Sequence, residues 1–240
     1  MFPIICKIGP VTIYAYGAMF AAAVMLCTFL LSRDAAKAGI PRDVIFDLAF
    51  WVIAAGIVGA RLFYILLHPE FFRDNPLEMI MLQNGGLAWQ GGLIFASAAG
   101  VMFLKKKGLS LGVMLDLAAP YAALGQSVGR VGCFLNGCCY GKEVSWGIFF
   151  PVHHAHLHPT QLYLSFGLLI LFFVLKKYQR ASHRVGGVFT LYLFLEALLR
   201  FVVEFFRADH DVLAFGLSVF QGVALGLMIL AVYVHTRLKS

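Results

Sequence analysis

Seven apolar stretches, each close to twenty residues, recur along this 240-residue chain at 13–31, 44–67, 87–104, 111–128, 160–175, 185–206 and 212–235. A hydrocarbon core about 30 Å thick takes about 20 helical residues to cross, so every stretch is of bilayer length. Lipid offers no partner to unpaired backbone groups, which restricts a spanning chain to helices or a closed barrel. Continuous apolar runs, without the alternation of barrel strands, select helices. The chain is therefore predicted to be an all-α polytopic membrane protein with seven transmembrane helices. With 61% of residues hydrophobic and 13% charged, no separate soluble domain fits in the remaining loops. Residues 1–240 are read as a single transmembrane domain with outer segments at about 68–86 and 129–158.

Orientation follows from lysine and arginine, which short loops retain on the cytoplasmic side. Arg33, Lys37 and Arg42 follow the first stretch, Lys105 to Lys107 the third, Lys176, Lys177, Arg180 and Arg184 the fifth, and Arg237 and Lys239 the last. These are twelve of the nineteen basic residues, all on alternate loops, so the N-terminus is predicted outside and the C-terminus inside. The net charge of +7 is then a topology signal with some attraction to anionic lipid, and no nucleic-acid partner is expected. MFPIICKIGP has no basic leader region, so the first stretch is expected to stay as an uncleaved helix. No internal repeat supports an inverted-repeat transporter.

Three arginines, Arg61, Arg130 and Arg200, interrupt these apolar stretches. Each costs about 2.5 to 3.5 kcal/mol at a bilayer centre unless an anion, a wet cavity or a charged ligand receives it. Arginine stays protonated and presents a planar fork matched to phosphate or carboxylate oxygens. Glu196, Arg200, Glu204 and Arg207 follow at steps of four, four and three, so they share one helical face. Packing alone would use small or neutral polar residues at lower cost, which weights Arg200 and Glu204 toward function. In GQSVGRVGCFLNGCCYGK, Gly125 to Lys142, five glycines surround Arg130. Such a segment reads as a bend whose amides, with the arginine, could hold a phosphate, or as tight helix packing.

Cys133, Cys138 and Cys139 are followed by His153, His154, His156 and His158. Thiols and imidazoles together are zinc, copper or iron ligands, but the spacing matches no zinc template. On the oxidising side a Cys133 bridge to Cys138 or Cys139 is preferred to a metal site.

Several motifs together resemble a known family. YAYGAMF, GARLFYILL, GGLAWQGGLI, GQSVGRVGCFLNGCCYG, HPTQLY and LRFVVEFFR are similar, in order and over nearly the whole chain, to the bacterial prolipoprotein diacylglyceryl transferases. The resemblance implies a multi-pass protein of the bacterial inner membrane with its outer segments in the periplasm. It implies transfer of the diacylglyceryl group of phosphatidylglycerol to the thiol of a prolipoprotein lipobox cysteine, releasing glycerol phosphate, with no metal or organic cofactor. Partners would be phosphatidylglycerol, the prolipoprotein signal peptide and membrane lipid, around a monomeric enzyme. Breaking the lipid's carbon–oxygen bond builds negative charge on phosphate, which fixed guanidiniums stabilise. The matched positions assign catalysis to Arg130, Arg200, Glu204 and His158, and substrate binding to Arg61, Arg130, Arg207, Tyr16, Asn136, Gly141 and Gln161; Gln90 is placed with the catalytic residues and Glu196 with the binding ones, at positions where the family has other residues. Asp116 also stands at a family position.

The chain departs from its relatives on the acceptor side. The family's HGGLIG is Gln90 to Phe95 here, and glutamine takes no proton at neutral pH. The family's GNFINGELWG is GCFLNGCCYG, with Cys133 for an asparagine and Cys138 for a glutamate; Glu196 replaces a tyrosine. Deprotonation of the thiol is then left to His158, Glu204, Glu196 or the arginine field. Two other readings stand: a paralogue that passes a lipid group to a different acceptor, and a Cys/His metal-binding or transport protein of the membrane.

Overall fold

The computed structural model describes residues 2–8, 11–74, 76–81, 85–181, 183–208, 212–214 and 216–238; Lys239, used above, lies outside them. In chain order the elements are β1 (Ile4–Ile8), β2 (Val11–Tyr14), α1 (Ala15–Lys37), α2 (Arg42–Leu67), α3 (Pro69–Asp74), a 3₁₀ turn (Pro76–Met79), α4 (Trp89–Lys106), α5 (Leu111–Asn136), β3 (Glu143–Phe150), β4 (Ala155–Leu157), α6 (Thr160–Arg180), α7 (Gly187–Glu204), β5 (Val212–Ala214), β6 (Leu217–Ser218) and α8 (Val219–Arg237). The protein is a mostly helical membrane protein. α1, α2, α6 and α8 are long and apolar enough to cross a bilayer, while α5 and α7 carry Arg130, Glu196, Arg200 and Glu204. Large apolar side chains such as Phe50, Trp51, Phe166 and Phe173 lie exposed, the arrangement lipid requires and water disfavours.

Three features differ from the sequence reading. Among the described residues, three two-stranded antiparallel hairpins stand alongside the helices. The fourth apolar stretch does not end near 128: α5 runs to Asn136, so Arg130 and Cys133 are helical instead of lying in a glycine-rich bend. Gly132 serves packing, for its Cβ would come within 3.1 Å of Met19 Cβ and 3.5 Å of Tyr16 Cα. The last helix begins at Val219 rather than Val212. Gly216, at φ +75°, turns the β5–β6 hairpin, and Ser218 then starts α8 with a reciprocal capping box to Gln221.

The chain forms two compact units. Residues 1–31 and 112–240 make the first. Its core joins α5, α6 and α7 through Ala119, Ala123, Leu164, Leu168, Leu171, Val188 and Val203. Ser127 and Ser165 bind each other's carbonyls at 2.7 and 2.9 Å, tying α5 to α6 without leaving a hydroxyl orphaned in the core. Asp116, which stands at a family position, caps α7: its carboxylate accepts from Gly186 N at 2.6 Å and Phe189 N at 2.8 Å. Fourteen residues of α5, about 21 Å at 1.5 Å per residue, separate it from Arg130.

Residues 32–111 make the second unit, where α2 and α4 cross through glycines. A Cβ on Gly92 would meet Gly56 O at 3.3 Å and Ala60 Cβ at 3.4 Å, the close approach that small residues permit between helices in lipid.

Candidate active site

In the first unit the charges converge at the C-terminal ends of α5 and α7. Glu204 is 6% exposed. Its Oε2 lies 3.9 Å from Arg200 Nε and 3.8 Å from Arg207 Nε, and its Oε1 accepts from Ser218 Oγ at 3.1 Å. The glutamate–arginine ladder read from the spacing is therefore realised around Glu204, although Arg207 lies past the end of α7. Arg207 is buried and held by a backbone bridge to Gly141. Arg200 also covers the Phe220 ring at 5.7 Å, a desolvated cation–π contact. Half-buried Glu196 sits in the fields of Arg200 and Arg130, and Arg200 in those of Arg130 and Arg207. Arg130 differs from these: among the described residues no carboxylate stands within ion-pair distance of it.

Directly after α5 the chain turns back sharply. Gly137 takes φ +78°, and Cys139 φ +62°, a left-handed conformation that a non-glycine residue holds at a cost of about 1–2 kcal/mol. Cys138 N bonds to Cys133 O at 3.2 Å. The result gathers the Cys133, Cys138 and Cys139 sulfurs within 4.8 Å of one another, as free thiols and not in the disulfide expected from the sequence. Two fully buried side chains of α6 hold the turn: Thr160 Oγ1 donates to Cys139 O at 2.8 Å, and Gln161 Nε2 to Cys138 O at 2.6 Å. Gln161 Oε1 is buried without a hydrogen-bond partner among the described residues. Hydrogen bonds from the Cys133 and Cys138 thiols hold the Cys139 thiol well below its ordinary range, and the Arg207 and Arg130 guanidiniums lower it further. Tyr16 lies in the field of the same three thiols and of Arg130. Sulfurs and arginines thus form one site.

Gly141 sits where no side chain fits, since its Cβ would fall 2.6 Å from His158 Cβ and 2.8 Å from Thr160 Cγ2. His158 is 9% exposed. Its Nδ1 pairs with Tyr163 Oη at 3.1 Å, and the Trp146 ring stands edge-on to its imidazole at 4.8 Å. Asn136 is exposed at the end of α5.

Arg61 and Gln90 belong to the second unit. Arg61 is 7% exposed, and each of its five N–H groups meets a backbone carbonyl. Nε reaches Met79 O at 3.1 Å, Nη1 reaches Gly85 O and, at 2.9 Å, Gly86 O, and Nη2 reaches Glu78 O and, at 3.2 Å, Met81 O. The Phe72 ring covers it at 5.4 Å. A guanidinium so saturated has no donor left for a phosphate. Arg61 therefore staples the segment after α2 rather than binding an anion. Gln90 is exposed in the first turn of α4.

The chain matches the family described as prolipoprotein diacylglyceryl transferase over residues 3–237. It belongs to that family. A relative from Clostridium tetani, named phosphatidylglycerol–prolipoprotein diacylglyceryl transferase, is 36% identical over 241 residues, covering 98% of this chain and 96% of its own. Relatives of the same name from Shouchella clausii and Bacillus cereus are 32% and 34% identical, covering 97% and 94% of this chain and 89% and 88% of theirs. Of the family positions named from the sequence, the first unit brings together Arg130, Arg200, Arg207, Glu196, Glu204, Tyr16, Gly141, His158 and Gln161. Thr160 was missed, and the thiols, expected as a Cys133 disulfide to Cys138 or Cys139, gather as three free sulfurs. A threonine directly after His-Pro at the start of a helix was the available signal for the first. The second depends on two left-handed residues that spacing does not reveal.

Proposed function

We propose that the chain is a phosphatidylglycerol–prolipoprotein diacylglyceryl transferase, moving the diacylglyceryl group to a lipobox cysteine thiol and releasing glycerol phosphate. One observation carries the reading: Arg130 stands in the field of Arg200 and Arg207 with no carboxylate at ion-pair distance among the described residues. Arg130 brings a fixed positive charge that a phosphodiester monoanion can neutralise. Arg130 clamps the headgroup phosphate. As the glyceryl carbon–oxygen bond breaks, the charge growing on the leaving phosphate meets fixed guanidiniums in a low-dielectric site, the arrangement that stabilises a transition state most. Glu204 holds Arg200 and Arg207 in place, and Gly141 lets the Arg207 backbone approach. Tyr16, Asn136 and Gln161 border the lipid and acceptor, with His158 beside them.

The reading extends to the whole chain as one functional domain of a monomer. Seven helices of 18 to 26 residues among the described ones support seven crossings. The basic residues on alternate loops support a periplasmic N-terminus and a cytoplasmic C-terminus in the bacterial inner membrane.

Purified protein incubated with phosphatidylglycerol and a lipobox peptide is expected to yield diacylglyceryl-peptide and glycerol phosphate by mass spectrometry. Gln90 in place of the family histidine favours one second reading, transfer to another acceptor. Glycerol phosphate release without modified peptide would select it, and no release from bound lipid would refute both.

A further inference from the structure

We propose that the groove between α2 and α4, at the end of the pair where α4 stops, binds an aminophospholipid of the bilayer, with its phosphate at Lys106 and Lys107 and its ammonium at Asp47. The site lies wholly within the second unit and does not depend on the transfer reaction. The groove has a volume of about 570 Å³, within the range of about 300–1,000 Å³ that small-molecule sites occupy. Its walls are Trp51, Ala99, Met102 and Phe103, and its charged residues are Asp47, Lys106 and Lys107. A Cβ on Gly56 would lie 3.5 Å from Ala96 Cβ, and one on Gly100 3.4 Å from Val52 Cγ2. That antiparallel register, continued a little beyond one turn, brings Asp47 level with the last residues of α4. At 1.5 Å per residue, Trp51 sits about 6 Å deeper along α2 than Asp47, and Ala99 about 10 Å deeper along α4 than Lys106. The charges therefore share the mouth and the apolar side chains the floor, as a lipid divides into headgroup and chain.

Asp47 is the residue that selects the lipid. It is exposed and stands five residues after Arg42, the first residue of α2, beyond the single turn over which a helix dipole favours a carboxylate. Its neighbours three and four residues away are Asp43, Val44, Phe50 and Trp51, so its own helix supplies a like charge and no cation. Among the described residues, none of Asp47, Lys106 and Lys107 forms an ion pair. Lysines alone would mark a site for anionic lipid. A carboxylate in the same mouth repels that charge and attracts an ammonium. The phosphodiester of an aminophospholipid meets the two lysines, and its ammonium donates charge-assisted hydrogen bonds to Asp47. Lys107 already leans over the apolar wall, its Nζ 5.7 Å from the centre of the Phe103 ring, with its stem along that surface. Trp51, 56% exposed, is the amphipathic ring that membrane interfaces favour.

The full chain is reconstituted in nanodiscs of phosphatidylcholine, whose quaternary ammonium has no N–H to donate, with a small fraction of photoactivatable phosphatidylethanolamine. Peptide mass spectrometry should find the label on residues 47–51 and 99–107. Unlabelled phosphatidylethanolamine should compete at about fivefold lower concentration than phosphatidylglycerol, the effect of one charge contact at a membrane surface. Asp47→Asn should erase that preference, and Lys106→Gln should weaken capture of both lipids about fivefold. Absence of label from these residues, phosphatidylglycerol competing as well as phosphatidylethanolamine or better, or a preference that survives Asp47→Asn would each overturn the site. The wild-type competition decides between the two headgroups without relying on any variant to fold.

Discussion

Arg61→Lys separates a structural arginine from one that binds lipid. Lysine keeps the charge but offers three donors to the five carbonyls that Arg61 now reaches. At least two charged hydrogen bonds are lost, each worth about 1.5–3 kcal/mol when buried. Met79 and Gly85 are exposed, so water re-solvates part of what lysine abandons, and the net loss is about 2 kcal/mol. It falls on local order after α2, since every acceptor lies between residues 78 and 86. Hydrogen–deuterium exchange of the amides at 78–81 and 85–88 should therefore accelerate about 30-fold, at about 1.4 kcal/mol per decade, while the KM for phosphatidylglycerol stays within a factor of about 2. Arg61→Met, which removes all five donors, should accelerate exchange further. Unchanged exchange with a large rise in KM would refute the reasoning and return Arg61 to the lipid site.

Gly141→Ala should cost about 1–3 kcal/mol of stability, because its Cβ would lie 2.6 Å from His158 Cβ and 2.8 Å from Thr160 Cγ2; thermal unfolding in detergent reads the loss. Asp116→Asn weakens the acceptor of two amides at the start of α7 and should lower stability by about 1 kcal/mol, the usual worth of a helix cap, with transfer kinetics per folded molecule unaltered.

The helices were legible because hydropathy sustained over bilayer length has few alternative folds. The face shared by Glu196, Arg200 and Glu204 was legible because spacing of four fixes neighbours on a helix. What failed depended on partners distant in sequence. The glycines around Arg130 left a bend and tight helix packing both open; Gly132 admits Tyr16 and Met19, which selects packing, and α5 continues eight residues beyond the expected end. Arg61 and Arg130 look alike in sequence, both lone cations in apolar runs. Only the fold shows that carbonyls saturate the first and that, among the described residues, no carboxylate pairs with the second. The three thiols sit together through left-handed turns at Gly137 and Cys139, which hydropathy and spacing do not encode.

The most direct test of the account is the transfer rate of Arg130→Gln, measured with phosphatidylglycerol and a lipobox peptide alongside its thermal unfolding. Removing one preorganised donor for a developing charge should lower kcat about 100- to 1000-fold. Because Arg130 has no ion pair within the described protein to lose, the unfolding temperature should not fall. Wild-type transfer by the variant, or loss of activity explained by unfolding, would contradict the assignment of Arg130 as the phosphate clamp.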